Sequence, residues 1–158
     1  MPNGYLMIIL HAHLPYVRHP EHERFLEERW FFEAVTETYI PLIKFFDRLR
    51  DEGTPFKLTL SISPTLANMM EDPLLRARCV RHLDMMVRLA EQECDRTRDW
   101  HDMHFLARMY RRLFREARET FVDRCGTRLA ATFAEFVQSG QLELITCAGT
   151  HGFLPLLD

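Results

Sequence analysis

The chain has no apolar run that approaches the length of a membrane-spanning helix. About 20 consecutive apolar residues are needed to cross the hydrocarbon core of a bilayer, and the aliphatic runs among these 158 residues are much shorter. The run at residues 5–10 is too short for a secretory signal and has no basic region before it. The sequence therefore predicts a soluble, cytoplasmic chain with no membrane partner.

The sequence also has little cysteine and no excess of positive charge. Its four cysteines show no C-x-x-C pairing and fall within predicted helices or strands: Cys79, Cys94, Cys125 and Cys147. This pattern is typical of buried thiols in a reducing compartment, and not of a disulfide framework or a structural zinc site. The net charge of -3 at pH 7 gives no reason to expect nucleic acid as a partner.

Hydrophobic periodicity predicts three strands separated by helices. Continuous or alternating apolar residues predict the strands, at residues 5–10, 56–62 and 142–147. Apolar residues at spacings of three and four predict the helices, at residues 28–51, 64–70 and 72–139, with breaks near 96–101 and 125–127. Pro41 is expected to kink the first helix. The predicted class is therefore α/β, with parallel strands, a right-handed crossover and a long helical insertion.

Three strands cannot close a barrel, and the last predicted strand is followed by an apolar tail at residues 153–157. Open strand edges and exposed apolar tails are normally covered in a finished domain. We therefore expect residues 1–158 to form one interrupted domain. The alternative is a small three-layer domain that dimerises through its open edge.

Histidines follow two of the predicted strands. His11 and His13 come at the end of the first strand, two residues apart, so both can project into one cleft. His151 follows the third strand within a glycine-flanked turn. Since the carboxyl ends of parallel strands meet at one edge of a sheet, we expect the three side chains to converge if their strands are neighbours.

Three interpretations of this histidine set remain open from the residues alone. The histidines could be hydrogen-bonded caps of the strand ends, with no chemical role. They could bind zinc or iron, with Glu21 or Glu23 folding back as a carboxylate ligand. They could also line a pocket for sugar hydroxyls, because a neutral imidazole both donates and accepts hydrogen bonds.

Four segments resemble the signature regions of a known family, in the same order and at comparable spacing: residues 11–21, 30–42, 58–64 and 140–155. The two histidine-bearing motifs read His11-Ala12-His13-Leu14-Pro15-Tyr16 and Ala148-Gly149-Thr150-His151-Gly152-Phe153. They are similar to the first and second regions of glycoside hydrolase family 57, in the form found in its 1,4-alpha-glucan branching enzymes. The resemblance extends from residue 5 to residue 158.

This resemblance implies the N-terminal part of an incomplete (β/α)7 barrel that acts on alpha-glucans by a retaining, double-displacement mechanism. His11, His13 and His151 would contact the sugar ring beside the scissile bond, and neither metal nor other cofactor would be needed. The glutamate nucleophile and the aspartate acid/base would lie beyond Asp158, so the chain alone is expected to be inactive. Gly149 departs from the alanine usual in the second region and leaves His151 in place.

The expected partner is an alpha-glucan such as glycogen, amylose or a starch-like polymer. Two other functions stay open. One is a metal-dependent hydrolase, of the deacetylase kind, that uses His11, His13 and His151 as ligands. The other is a non-catalytic glucan-binding or assembly protein, a half barrel completed by a partner chain or by self-association through the open edge.

Overall fold

The computed structural model describes residues 4–145 and 147–156. Its strands are β1 (Ile9–Ala12), β2 (Leu58–Ile62) and β3 (Leu142–Ile145). Its α-helices are α1 (Glu28–Ala34), α2 (Ile40–Asp51), α3 (Pro64–Glu71), α4 (Pro73–Arg96), α5 (His101–Glu119) and α6 (Leu129–Gln138). Thr146, predicted as part of the third strand, lies outside the described residues, as do Leu157 and Asp158.

The three strands form one parallel sheet in the order β1–β2–β3. Helices α1 and α2 connect β1 to β2, and helices α3 to α6 connect β2 to β3. The register places His11 beside Ser61 and Ser61 beside Ile145. The predicted α/β class, the parallel strands and the long helical insertion are confirmed.

The two faces of the sheet differ in polarity because successive side chains of a strand alternate between them. On one face Leu10, Leu60 and Leu142 pack into the hydrophobic core, together with aromatic residues of the helices: Phe31, Phe46, Phe133 and Phe136. The opposite face carries His11 and polar side chains, among them Thr59, Ser61 and Glu143. The hydroxyl of Thr59 donates to a carboxylate oxygen of Glu143 at 3.3 Å. One face thus supplies the core, and the other carries His11 together with polar side chains, of which Thr59 and Ser61 are buried.

Strand β1 begins later than the sequence pattern predicts. Regular pairing starts at Ile9, the register partner of Thr59, whereas Tyr5, Leu6 and Met7 are largely exposed. An apolar run predicts that its side chains are buried, but a strand also needs a neighbouring strand to pair with. Among the described residues β1 pairs with β2 alone. Both outer edges of the sheet are therefore open in the described part of the chain.

The disturbance expected at Pro41 takes the form of a π-helical turn. Residues Val35–Tyr39 form this turn, and it joins α1 to α2. Proline has no N–H, and its ring clashes with the carbonyl group one turn earlier, which in this chain belongs to Glu37. Widening the preceding turn avoids the clash without ending the helix.

The helical insertion begins with two capped helices. The side chain of Ser63 accepts from the N–H of Leu66 at the start of α3, and Asp72 accepts from the N–H of Leu75 at the start of α4. The breaks predicted near residues 96–101 and 125–127 match the ends of α4 and of the π-helical turn that follows α5. None of the described helices is long and apolar enough to cross a membrane.

The cysteine side chains lie mostly in the interior, as the sequence predicts. Cys79, Cys94 and Cys125 are buried, and Cys147 is half-buried. Burial raises the pKa of the Cys79 thiol, because the charged thiolate is poorly solvated there. Burial of Cys79 in the core is therefore consistent with a packing role for this thiol.

Candidate functional site

Three histidines from opposite ends of the chain meet at the C-terminal edge of the sheet. His11 lies in β1, His13 follows that strand, and His151 lies in the turn after β3. Nε2 of His11 is 3.1 Å from Nε2 of His151, and the ring centroids of His13 and His151 are 4.5 Å apart. The structure therefore brings together the three histidines selected from the sequence.

The strands that carry these histidines are not neighbours, so the histidines converge without the condition on which the sequence expectation depended. Strand β2 lies between β1 and β3. Its residue Ser61 is the register partner of His11, and a serine side chain is small. The rings of His11 and His151 therefore meet across the end of β2, with centroids 4.6 Å apart.

The backbone at His151 adopts a left-handed conformation. Its φ angle is 57°, and its N–H donates to the carbonyl of Ala148 at 2.9 Å to close a turn. Histidine visits this region more often than most residues, but non-glycine residues there carry a cost of about 1–3 kcal/mol. Backbone conformations with such a cost are concentrated at functional sites. The conformation of His151 therefore also indicates a functional site here, which the sequence does not reveal.

His13 is held by a hydrogen bond to the start of α3. Its Nδ1 lies 2.9 Å from Oγ of Ser63, the residue that caps that helix. Sequence reasoning placed Ser63 and Pro64 at a helix start and in the family-like segment 58–64, and gave Ser63 no role at the histidines. The position of Ser63 in the chain could have placed it at the site, because it follows β2 directly and so lies at the same sheet edge as the histidines.

The surroundings of His13 favour its neutral form. The pKa of His13 is lowered from its ordinary value of 6.5, first by burial and then by the nearby rings of His151 and His11. The contact between Nε2 of His11 and Nε2 of His151 requires one N–H and one lone pair. The cluster therefore contains both hydrogen-bond donors and acceptors.

The loop after β1 is held by an ion pair to the cap of α4 and by contacts to a buried ion pair between α1 and α4, features that sequence reasoning missed. Arg18 donates to Asp72 at 2.6 Å. Arg78 and Glu28 form a buried pair, with exposed side-chain fractions of 7% and 1%. Arg78 also donates to the carbonyl of His19, and the N–H of His19 donates to Glu28. The contacts of Arg18 with Asp72 and of Arg78 with His19 and Glu28 join residues 50 or more apart, so no local pattern indicates them.

The acidic residues that could have completed a metal site do not join the histidines. Glu21 instead contacts Nδ1 of His19 at 3.0 Å, and Glu23 lines a separate cavity with Arg78. Within residues 4–145 and 147–156, no three His, Cys, Asp or Glu side chains are arranged to hold a metal ion.

A cavity of about 620 Å³ opens beside His11 and His13. Its lining is mainly apolar and comes from β1, β2 and the α1–α2 segment: Leu10, Ala12, Leu14, Leu42, Phe45, Leu60 and Ile62. Glu37 and Thr38 add polar groups. Small-molecule sites have volumes of about 300–1,000 Å³ and are mainly apolar with a few polar groups, so the cavity is suited to a ligand or to a packed segment of protein.

Solved structures with the same fold include enzymes that act on alpha-glucans. The alpha-amylase AmyC from Thermotoga maritima matches 95% of this chain with a TM-score of 0.89 and 43% identity. The branching enzyme from Pyrococcus horikoshii matches 98% with a TM-score of 0.89 and 30% identity. The branching enzyme TK1436 from Thermococcus kodakaraensis, solved with glucose and additives, matches 98% with a TM-score of 0.83 and 31% identity.

Sequence comparison also finds a 1,4-alpha-glucan branching enzyme. The curated 1,4-alpha-glucan branching enzyme TK1436 is 34% identical over 98% of this chain. The chain spans 22% of that relative and 27% to 29% of the three solved chains. The model of glycosyl hydrolase family 57 matches residues 7–158, and the chain therefore belongs to glycosyl hydrolase family 57.

Proposed function

We propose that residues 1–158 form the N-terminal part of the catalytic barrel of a retaining, alpha-glucan-active enzyme of the 1,4-alpha-glucan branching type. The observation that carries this proposal is the convergence of His11, His13 and His151 at the carboxyl edge of a parallel sheet, where α/β enzymes bind their substrates. The similarity to TK1436 over 98% of the chain supports the branching assignment.

The proposed role of the three histidines is to contact a sugar ring in the donor subsite. A neutral imidazole offers one donor and one acceptor, which complements a sugar hydroxyl that can also do both. His11 and His151 are exposed and His13 is half-buried, so each ring retains surface for a ligand. TK1436 was solved with glucose, which supports a sugar as the ligand.

The chemistry itself is proposed to need groups beyond this chain. Retaining glycosidases use two carboxyl groups about 5 Å apart on either side of the scissile bond. Glu143 lies in β3 on the polar face of the sheet. Its carboxylate accepts a hydrogen bond from the hydroxyl of Thr59 in β2, and no motif supports it as a nucleophile. The nucleophile and the acid/base then belong to the part of the relatives that this chain does not span, and the chain alone would be inactive.

Alpha-glucan hydrolysis is the second candidate activity. The observation that favours it is the 43% identity to the alpha-amylase AmyC, which exceeds the identity to the branching enzymes. The two activities differ in the acceptor, a glucan 6-hydroxyl for branching and water for hydrolysis. Amylose treated with the complete enzyme would gain alpha-1,6 linkages in the first case and reducing ends in the second.

The proposed protein partner is the remainder of the barrel. Both edges of the sheet are open in the described part of the chain, and large apolar side chains beside them are exposed: Tyr5, Leu6, Met7, Leu144, Phe153 and Leu154. Further strands would pair with these edges and cover the apolar side chains. Self-association through the same edges is the alternative, and the buried thiols favour a reducing compartment such as the cytoplasm.

Titration of the isotope-labelled chain with a malto-oligosaccharide tests the sugar contact by NMR. We expect the ring signals of His11, His13 and His151 to shift on binding. Loss of one hydrogen-bonding ring costs about 0.5–1.5 kcal/mol, so His11→Ala and His151→Ala should each weaken binding roughly two- to thirteenfold. His101→Ala is the matched control, because His101 is exposed on α5 and contacts Asp102.

Two results would contradict the proposal. One is binding that weakens equally in His101→Ala and His151→Ala, since the contact would then not be at the cluster. The other is turnover of amylose by the purified chain, with release of reducing ends or formation of branches, since the chain would then contain its own catalytic carboxylates.

A further inference from the structure

A continuous series of hydrogen bonds runs from His13 into the protein. Nδ1 of His13 lies 2.9 Å from Oγ of Ser63, and Oγ of Ser63 lies 3.0 Å from Oγ1 of Thr65. Oγ1 of Thr65 lies 3.0 Å from the carbonyl oxygen of Leu14. All three distances are within the range of well-formed hydrogen bonds.

Only one assignment of hydrogen-bond donors satisfies all three contacts. A carbonyl oxygen only accepts, so the single hydroxyl proton of Thr65 goes to Leu14. The contact between Ser63 and Thr65 must then use the single hydroxyl proton of Ser63. No hydroxyl proton remains for the contact between Ser63 and His13, so Nδ1 of His13 must supply it.

We propose that Ser63 and Thr65 are positioning residues that hold neutral His13 in the Nδ1–H tautomer and leave Nε2 as a hydrogen-bond acceptor for the substrate. The opposite tautomer would require Ser63 to donate to Nδ1. Ser63 would then have no proton for Thr65, and one contact would be lost. Either the two hydroxyl oxygens would face each other at 3.0 Å without a hydrogen between them, or Thr65 would donate to Ser63 and leave its contact with the carbonyl of Leu14 without a proton.

The capping role of Ser63 agrees with this assignment. Its oxygen also accepts from the N–H of Leu66, at the longer distance of 3.4 Å. A serine oxygen has two lone pairs and one proton, so acceptance from Leu66 and His13 with donation to Thr65 uses its whole capacity. The lowered pKa of His13 keeps the second ring nitrogen unprotonated at neutral pH.

The consequence for recognition rests on the proposed glucan contact. An Nε2 acceptor requires a hydroxyl group that donates, so a sugar with that hydroxyl removed or methylated would lose the bond. Sites built around a polar contact reject analogues that lack the partner, because a buried polar group is then left unpaired. His13 would therefore select for an intact hydroxyl at one position of the ring.

Selective ¹⁵N labelling of histidine, with long-range ¹H–¹⁵N correlation at mildly alkaline pH and without sugar, reads the tautomer directly. The proton-free nitrogen resonates far downfield of the protonated one, and Nε2 is recognised because it correlates with both Hδ2 and Hε1. The signals of His13 are identified by their loss in His13→Gln. We expect the downfield nitrogen of His13 to be Nε2.

Thr65→Val tests whether Thr65 acts on His13 through Ser63, an arrangement that we call the relay. Valine keeps the shape of threonine but removes the acceptor of the Ser63 proton, so Ser63 becomes free to donate to His13, and we expect the Nε2–H form to increase. Thr65→Ser restores the hydroxyl and should keep the wild-type pattern. Thr132→Val is the matched control, because Thr132 lies in α6 and donates to the backbone carbonyl of Arg128 and not to the histidine cluster.

A downfield Nδ1 in the wild-type chain would overturn the assignment, and an unchanged His13 spectrum in Thr65→Val would overturn the relay. If Thr65→Val fails to fold, the wild-type spectrum still decides the tautomer. Because the measurement needs no sugar, absence of glucan binding would refute the proposed function and leave this result intact.

Discussion

The two segments that bring histidines to the site are built in opposite ways. The loop after β1 is tied into the protein: the N–H of Val17 donates to Sδ of Met69 at 3.3 Å, and Arg78 and Glu28 form a buried ion pair beneath the loop. The turn after β3 closes its backbone bonds locally, from His151 to Ala148 and from Leu156 to Phe153. Its side chains at residues 151, 153, 154 and 156 are exposed.

We call the loop after β1 the first wall of the site and the turn after β3 the second wall. The first wall is preorganised, whereas the second wall must be supported by other parts of the protein. Preorganised groups bind without a further ordering cost, and His13 meets that condition through its bond to Ser63. His151 is placed by a turn with an unfavourable φ angle, and such conformations persist only where surrounding structure holds them. Three changes would test the contrast, beginning with the one of largest expected effect.

Replacement of Arg78 by methionine should destabilise the first wall strongly. The carboxylate of Glu28 would remain buried without its cation, and breaking a buried pair in this way costs about 3–5 kcal/mol. The free energy of unfolding from urea titration measures the loss. Arg98→Met is the control, because Arg98 and Asp95 form an exposed pair whose loss should be barely detectable. Equal effects of the two variants would show that the buried pair does not hold the loop.

Replacement of Asp72 by asparagine should have a smaller effect that depends on pH. Burial acts most strongly on Asp72 and would raise its pKa, but hydrogen bonds from Leu75 and Arg18 outweigh it and hold the pKa below the ordinary 3.8. A lowered folded-state pKa contributes stability above 3.8, and this contribution is lost as pH falls through the folded value. Asparagine still caps the helix, so the variant isolates the charge.

The wild-type chain should therefore be more stable than Asp72→Asn near neutral pH, with a difference that shrinks as the pH is lowered below 3.8. Urea unfolding midpoints for both chains over this range measure it. A difference that grows toward acid pH would contradict the sign argued from Arg18 and Leu75.

Replacement of His151 by glycine and by alanine should separate the strain of the second wall from its contacts. Both variants lose the imidazole, but only glycine adopts a positive φ without cost, so the glycine variant should be more stable in the turn by roughly 1 kcal/mol. Hydrogen exchange of the amide at position 151 measures this locally. Faster exchange in the glycine variant would show that the turn is not strained at this residue.

The sequence predicts the parts of the site that depend on local pattern and chain order. The three histidines could be selected because strand ends of a parallel sheet share one edge, and their convergence needs only the element order. The start of β1 at Ile9 could not be predicted, because an apolar run does not reveal which residues find a pairing partner. The position of β2 between the histidine-bearing strands was also not indicated.

The supporting groups of the site depend on contacts across long separations and were missed. Ser63 meets His13 across 50 residues, and Arg78 meets Glu28 across 50 residues. Each of these residues has an ordinary local role, as a helix cap or as a charge on a helix, and that role fully explains it in the sequence. A second role becomes visible only when the loop after β1 is placed against α3 and α4.

The separation of 140 residues between His11 and His151 also has a consequence for synthesis on the ribosome. Chains grow at about 5–20 residues per second, so His151 follows His11 by roughly 7–28 seconds. During that interval β1, β2 and the helices can already fold, while the edge of β2 that will receive β3 stays unpaired and able to aggregate. The histidine cluster can therefore form only after β3 and the turn that follows it have been synthesised, well after the segment that carries His11 and His13.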